Sequence, residues 1–380
     1  MGWLKLKEVG MKDGHVRKLM NIYNRYDELF FEENFRLFNS ELKRNLEKSR
    51  NINLDSKMEF YKRNKVRIID ANSQGYPEKL KELTDYPLFL YVKGKELKKG
   101  LNDERRNIAV VGTRKVTKFG KSACEKIVRE LLEYEVTLIS GLAEGIDTVA
   151  LSASVEKDGS AIAVVGSGLD IVYPYENKIL WEKISENGIL ISEHPLGTKP
   201  LKWNFPKRNR IIAGLSDGIL IAESFKSGGA LITAELGFMM DKEIFAVPGF
   251  INYPSFEGCN NLIKENKAKL VTTGEDIARE FLWDLKNRKN KTDKLTYEEK
   301  IVFLQLNEEL GLEEIMKKIK NFDMSSDNDD KNRNALFENE FRPEENRIDI
   351  PVNKLLSILM SLKVKGLISE TGTARYMKIV

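Results

Sequence analysis

The chain has 380 residues, 41% of them hydrophobic and 32% charged, with a net charge of +4. That length suggests two or three domains with real cores, and the near balance of charge excludes a chain that is basic throughout; any polyanion surface has to come from local clustering. Two cysteines, Cys124 and Cys259, and two histidines, His15 and His194, all far apart, argue against a disulfide framework and a structural zinc site.

No apolar run is long enough to span a bilayer, and the start carries no signal-peptide core, so a cytoplasmic protein without a membrane partner is expected. In residues 1–65, Leu19, Ile22, Tyr23, Tyr26, Leu29 and Phe30 recur at helical spacing. Residues 1–70 carry 16 Lys or Arg against 11 Asp or Glu, about +5. Nothing in this stretch has base-reading chemistry, so a small helical domain packed on the next one is expected.

Residues 66–282 read differently. Short β-branched runs, most of them bounded by glycine, alternate with helical stretches. They cover 108–112, 137–141, 161–166, 188–192, 218–222 and 243–248. Continuous apolar strands alternating with helices predict a doubly wound α/β domain with a parallel sheet covered on both faces. Residues 283–294 read as a basic linker. The rest, 295–380, predicts helices followed by a strand, a turn and a strand, which fits a winged-helix-like module. A polar, acidic insertion near 321–345 is expected to be disordered. The helix at 352–362 carries Lys354 as its only charge, thin for duplex contact, so docking to protein or to another domain is the expected role of this module.

In an open parallel sheet, ligands bind beyond the carboxyl ends of the strands. The turn Gly112-Thr113-Arg114 is the sharpest candidate there. Glycine lets the backbone approach a phosphate, the next helix offers free N–H groups, and Arg114 adds a two-pronged donor. Ser140–Asp147, with Gly141, forms a second such turn. Gly166–Asp170, with Tyr173 and Pro174, forms a third. Ser227–Glu235 opens a helix with glycines and hydroxyls, and it reads equally as an N-cap or as an anion site with Lys226. Between Lys199 and Arg210 stand five cations (Lys199, Lys202, Lys207, Arg208 and Arg210) and two aromatics, Trp203 and Phe205, without one acid. A basic, aromatic-interleaved segment at a helix start can hold phosphates and stack bases. The P-loop, the nucleophile elbow, metal-ligand spacing and a complete GxGxxG are all missing, so several anion cradles stand without a reactive group. Binding without turnover, cofactor or metal is the expectation.

These motifs resemble the DprA/Smf family. The likeness lies in GTR at 112–114, SGLAEGIDT at 140–148, IAVVGSGLDIVYP at 162–174, the run from Ile191 to Ser216, SGGALITAE at 227–235, FAVPG at 245–249, GCNNLI at 258–263 and AKLV at 268–271. It covers roughly residues 70–280 and is dense and collinear. The resemblance implies an extended Rossmann domain that binds single-stranded DNA and loads the recombinase RecA onto it in natural transformation, without catalysis. By the same resemblance the DNA pocket would use Gly112, Thr113, Arg114, Gly141, Phe205, Lys207, Arg208, Arg210 and Lys226. A homodimer would form near Cys259–Leu270. Three positions depart from the family pattern: Leu151 replaces a common histidine, Tyr175 replaces a common lysine for which Lys178 could substitute, and Thr113 replaces the usual serine and keeps its hydroxyl. A rival reading takes Ser227–Glu235 as the loop of a nucleotide phosphoribohydrolase, with Glu235 as its acid and Arg114 as a phosphate contact.

Overall fold

The computed structural model describes residues 2–95, 106–156, 161–283, 295–320, 350–372 and 374–378. The chain divides into two units, Met1–Asp284 and Leu285–Val380.

The first unit opens with five helices: α1 (Leu4–Glu8), α2 (Asp13–Ile22), α3 (Glu32–Leu37), α4 (Ser40–Arg50) and α5 (Leu54–Arg63). Asparagine side chains start two of them. Asn39 accepts from the Leu42 N–H at 2.8 Å, and Asn53 accepts from the Ser56 N–H at 3.0 Å, which satisfies donors the helix itself cannot pair. Leu4, Leu6, Val16, Leu29, Leu46 and Tyr61 point inward and share one apolar core with Phe89, Tyr91 and Leu190 of the sheet and Trp181 of a covering helix.

Nine strands form the sheet: β1 (Val66–Asp70), β2 (Phe89–Gly94), β3 (Arg106–Val111), β4 (Val136–Ser140), β5 (Ala161–Val165), β6 (Ile189–Ser192), β7 (Gly218–Ile221), β8 (Glu243–Ala246) and β9 (Lys269–Leu270). Their order is β1-β2-β6-β5-β4-β3-β7-β8-β9. From β6 to β9 every pairing is parallel, as the apolar runs predict. Strands β1 and β2 were not anticipated; they extend the β6 edge antiparallel. At the opposite edge β9 has two residues, and Lys269 there pairs with Glu243 at 2.9 Å.

The covering helices are α6 (Lys118–Leu132), α7 (Ile146–Ser154), α8 (Lys178–Asn187), α9 (Asn204–Leu215), α10 (Gly229–Phe238), α11 (Glu257–Lys264) and α12 (Gly274–Glu280). The chain runs outward from β3 through β4, β5 and β6, then returns to place β7 on the other side of β3. That reversal opens a crevice at the carboxyl ends of the central strands, where doubly wound sheets bind ligands.

The second unit holds α13 (Tyr297–Gln305), β10 (Leu310–Gly311), α14 (Leu312–Lys320), α15 (Val352–Val364), β11 (Ile368–Gly372) and β12 (Arg375–Lys378). Its three-stranded sheet has the order β10-β12-β11. Ile301, Leu306, Ile315, Leu355, Leu359 and Leu362 form its core. Thr296 and Glu299 make a capping box at the start of α13, and Glu299 also pairs with Lys365 at 2.7 Å. Most of the expected linker at 283–294, and the expected insertion near 321–345, lie outside the described residues.

Candidate functional site

The loop after β3 is fixed from both sides. A Cβ on Gly112 would sit 2.5 Å from Ile146 Cγ1 and 2.8 Å from the Glu223 carbonyl oxygen, so only glycine fits. The Thr113 N–H donates to that carbonyl at 2.8 Å. Gly145 has φ +80°, and its Cα packs so closely that a Cβ would come within 2.2 Å of the Thr113 carbonyl oxygen. The result is a turn that holds Arg114 out into solvent, where it makes no ion pair among the described residues.

Arg114 lies over the Phe205 ring, 5.7 Å from its centre. Phe205 in turn stacks on Tyr173, with 5.5 Å between ring centres and 29° between planes. This cation–ring–ring stack stands at the mouth of an open groove of about 480 Å³. Four strand-end loops line the groove: Gly112–Arg114 after β3, Ala143 after β4, Tyr173 after β5 and Gly228–Ala230 after β7; Lys202, Pro206 and Asn209 complete the wall. A recess behind the ring pair is lined by Gly141, Glu144, Gly166 and Pro174.

Helix α9 supplies the floor. Asn204 donates its amide to the Gly166 carbonyl at 2.9 Å. Arg208 is buried, and its Nη1 donates to the carbonyls of Gly141, at 2.5 Å, and Val164. A Cβ on Gly141 would come within 2.4 Å of that guanidinium, so Gly141 makes room for Arg208. Asp147, also buried, accepts from the Gly141 and Ala143 N–H groups at 3.1 and 3.3 Å. Burial pulls the Arg208 guanidinium down to about 10, while the Asp147 charge resists the shift. Burial likewise raises the Asp147 carboxyl, against the pull of Arg208 and the two N–H groups. Arg208 thereby joins the turn after β4 and the end of β5 to α9.

Arg210 stands two residues on, roughly 200° around the helix, and faces away from the groove. It pairs with Glu193 at 2.5 Å and Asp85 at 3.1 Å. Gly112, Thr113, Arg114, Gly141, Phe205 and Arg208 therefore meet at the groove, while Arg210 does not. Lys207 is exposed on α9 but does not line the groove; like Lys199 and Lys202, it has no ion-pair partner among the described residues. Lys226 is exposed and lies 3.5 Å from Glu257, outside the groove. Lys178 sits over the Tyr175 ring at 5.9 Å. Leu151 is a core residue. Glu235 is exposed on α10 and does not line the groove, which leaves the phosphoribohydrolase reading without its acid at the site. Tyr173 and Lys202 are groove residues that the sequence reasoning did not select. Tyr173 was visible only as part of a turn, and Lys202 only as one cation in a run.

The family model for DNA recombination-mediator protein A matches residues 67–282. This chain belongs to that family. It is 44% identical to the DNA processing protein DprA of Streptococcus pneumoniae over 207 residues, 54% of this chain and 71% of that one. It is 39% identical to the Bacillus subtilis DprA over 221 residues, 58% of this chain and 73% of that one. The X-ray structure of the S. pneumoniae DprA matches with a TM-score of 0.64 at 34% identity, covering 74% of this chain and 98% of that one. A Helicobacter pylori DNA processing protein A, solved to describe its single-stranded DNA binding mode, matches with a TM-score of 0.52 at 27% identity, covering 57% of this chain and 95% of that one. Among the described residues no helix is long and apolar enough to cross a membrane, and no cluster of three or more His, Cys, Asp or Glu side chains could hold a metal.

His194 belongs to the folding of this family member rather than to the groove. Burial lowers its imidazole to about 4, and the charges of Lys7, Arg210 and Lys207 push the same way against Asp13. Its folded value lies below the unfolded 6.5, so its contribution to stability is complete above pH 6.5 and is lost as the pH falls towards 4. Between about pH 6.5 and 5 this costs about 1–2 kcal/mol. Urea titrations across that range should show the loss in the wild type and a flatter profile for His194→Gln; parallel profiles would refute the assignment.

Proposed function

We propose that this chain binds single-stranded DNA in the groove at the carboxyl edge of the sheet, without chemical turnover. The observation that carries the reading is the stack of Arg114, Phe205 and Tyr173 in one groove with unpaired Lys202. A flat ring offers a base-stacking face that any base can use, and the cations neutralise the phosphates on either side. The named function of the H. pylori relative agrees with this. The carboxylate that lines the groove, Asp147, is buried and held by the Gly141 and Ala143 N–H groups, which suits holding rather than reacting.

Arg114→Ala should weaken binding to oligothymidine about tenfold and reduce the salt slope by about 0.7, the share of one phosphate on a single strand. Fluorescence anisotropy across a salt series measures both. Unchanged affinity and slope would remove Arg114 from the interface.

The family likeness extends the proposal to loading of RecA onto the bound strand in natural transformation, inside the cytoplasm, by a homodimer paired near Cys259–Leu270. Leu270 is exposed on the short edge strand, which suits such pairing. Equilibrium sedimentation of wild type and Leu270→Glu tests the dimer. RecA filament assembly on coated single strands, with and without this protein, tests loading.

A further inference from the structure

A second aromatic cluster stands on the same sheet edge, outside the groove. Phe119, in the first turn of α6, meets Phe250 edge-on at 5.9 Å and Tyr253 at 6.3 Å, and Phe250 and Tyr253 are 5.8 Å apart. The rings stay 57%, 64% and 43% exposed. Three large rings gathered in water, instead of under a neighbouring element, mark a binding surface.

Its position continues the groove. The segment after β3 lines the groove at Gly112–Arg114 and then carries Phe119. Phe250 and Tyr253 come from the loop after β8, and β7 between them sends its own loop to the groove at Gly228.

The exposed charge on the chain around Phe119 is of one sign. From Arg114 to Cys124 the chain has Arg114, Lys115, Lys118 and Lys121 and no acid. All four are exposed and none has an ion-pair partner among the described residues. Further along the same helix the cations are paired, Lys126 with Glu130 and Arg129 with Glu125. The loop 247–256 carries no charge at all. At the amino end of α6 the buried Glu223 carboxylate accepts from the Thr117 N–H at 3.0 Å and answers the helix dipole, while the exposed lysines beside it stay without an acid partner among the described residues. A protein surface of ordinary mixed charge would find half of its ions unmatched here, whereas a flexible polyanion with flat bases would not.

We propose that Phe119, Phe250 and Tyr253, with Lys115, Lys118 and Lys121, form a second station on the single-strand path, where bases that have left the groove stack and the lysines meet their phosphates. This rests on the reading of the groove as a single-strand site and lengthens the track that the reading implies.

The test uses the whole chain and two oligothymidines, of about 5 and about 15 nucleotides. The double substitution Phe119→Ala/Phe250→Ala should weaken binding of the longer oligomer about tenfold and leave the shorter one unchanged. Phe119→Trp/Phe250→Trp should restore the longer one, and thermal melting should stay unchanged because the rings are exposed. Lys115→Ala/Lys118→Ala/Lys121→Ala should reduce the salt slope by about 2 for the longer oligomer alone. If the alanine variant holds the longer oligomer as tightly as the wild type while short-oligomer binding is intact, the second station is wrong and the groove stands. If wild type binds neither oligomer, both fall together.

Discussion

Arg208→Met should lower the stability of the first unit by about 2–4 kcal/mol, because it leaves two buried carbonyls without their donor and removes a cation that favours the buried Asp147 carboxylate. A cation whose task is to hold phosphate would give the opposite signature, weaker DNA binding at unchanged stability. The geometry favours the first outcome: the buried guanidinium donates to the carbonyls of Gly141 and Val164. Adding Asp147→Asn should recover part of the loss, since it removes the buried charge, and the two changes should be far from additive. Chemical denaturation of the four proteins of this cycle measures it. Full stability in Arg208→Met would show that these buried contacts are dispensable and would return Arg208 to the list of phosphate contacts.

Phe205→Ala is expected to have the largest effect on binding among changes that keep the fold. It removes the central ring of the stack, so Arg114 loses its platform and Tyr173 its partner. Loss of one stacking platform costs about 1–3 kcal/mol per base, so affinity for oligothymidine should fall about 10- to 100-fold. Phe205→Trp should bind nearly as well as wild type. The salt slope should hardly move, because no phosphate contact is removed; that separates this variant from Arg114→Ala. Wild-type affinity in Phe205→Ala would mean that bases do not stack at the mouth of the groove.

Much of the fold could be read from the amino acids. Runs such as Ala161–Val165 and Gly218–Ile221 are apolar on both faces, and a strand of that kind needs cover on both sides. The alternation with helices then leaves few topologies. Strands β1 and β2 escaped because Val66–Asp70 is only partly buried and the two pair antiparallel, outside the strand–helix alternation. The candidate site was legible as a list and less so as an arrangement. The run from Lys199 to Arg210 reads as five equivalent cations. Their roles separate only when helix geometry turns Arg208 inward and Arg210 towards Glu193 and Asp85, partners far away in the chain. Direction around a helix can be derived from spacing, but the acids waiting on each side cannot. Tyr173 shows the same limit, since its stacking partner lies in a separate segment.

The buried side chains Arg208 and Asp147 have a consequence for the thermodynamics of association. Their hydrogen bonds tie the turn at Gly141, the end of β5 and the start of α9 into one connected floor before any ligand arrives. A groove built that way has little loop entropy left to lose, so the ordering cost on binding falls mainly on the flexible strand. Calorimetry of oligomers of increasing length should therefore show an unfavourable entropy that grows with nucleotide count and extrapolates to a small value for the protein itself.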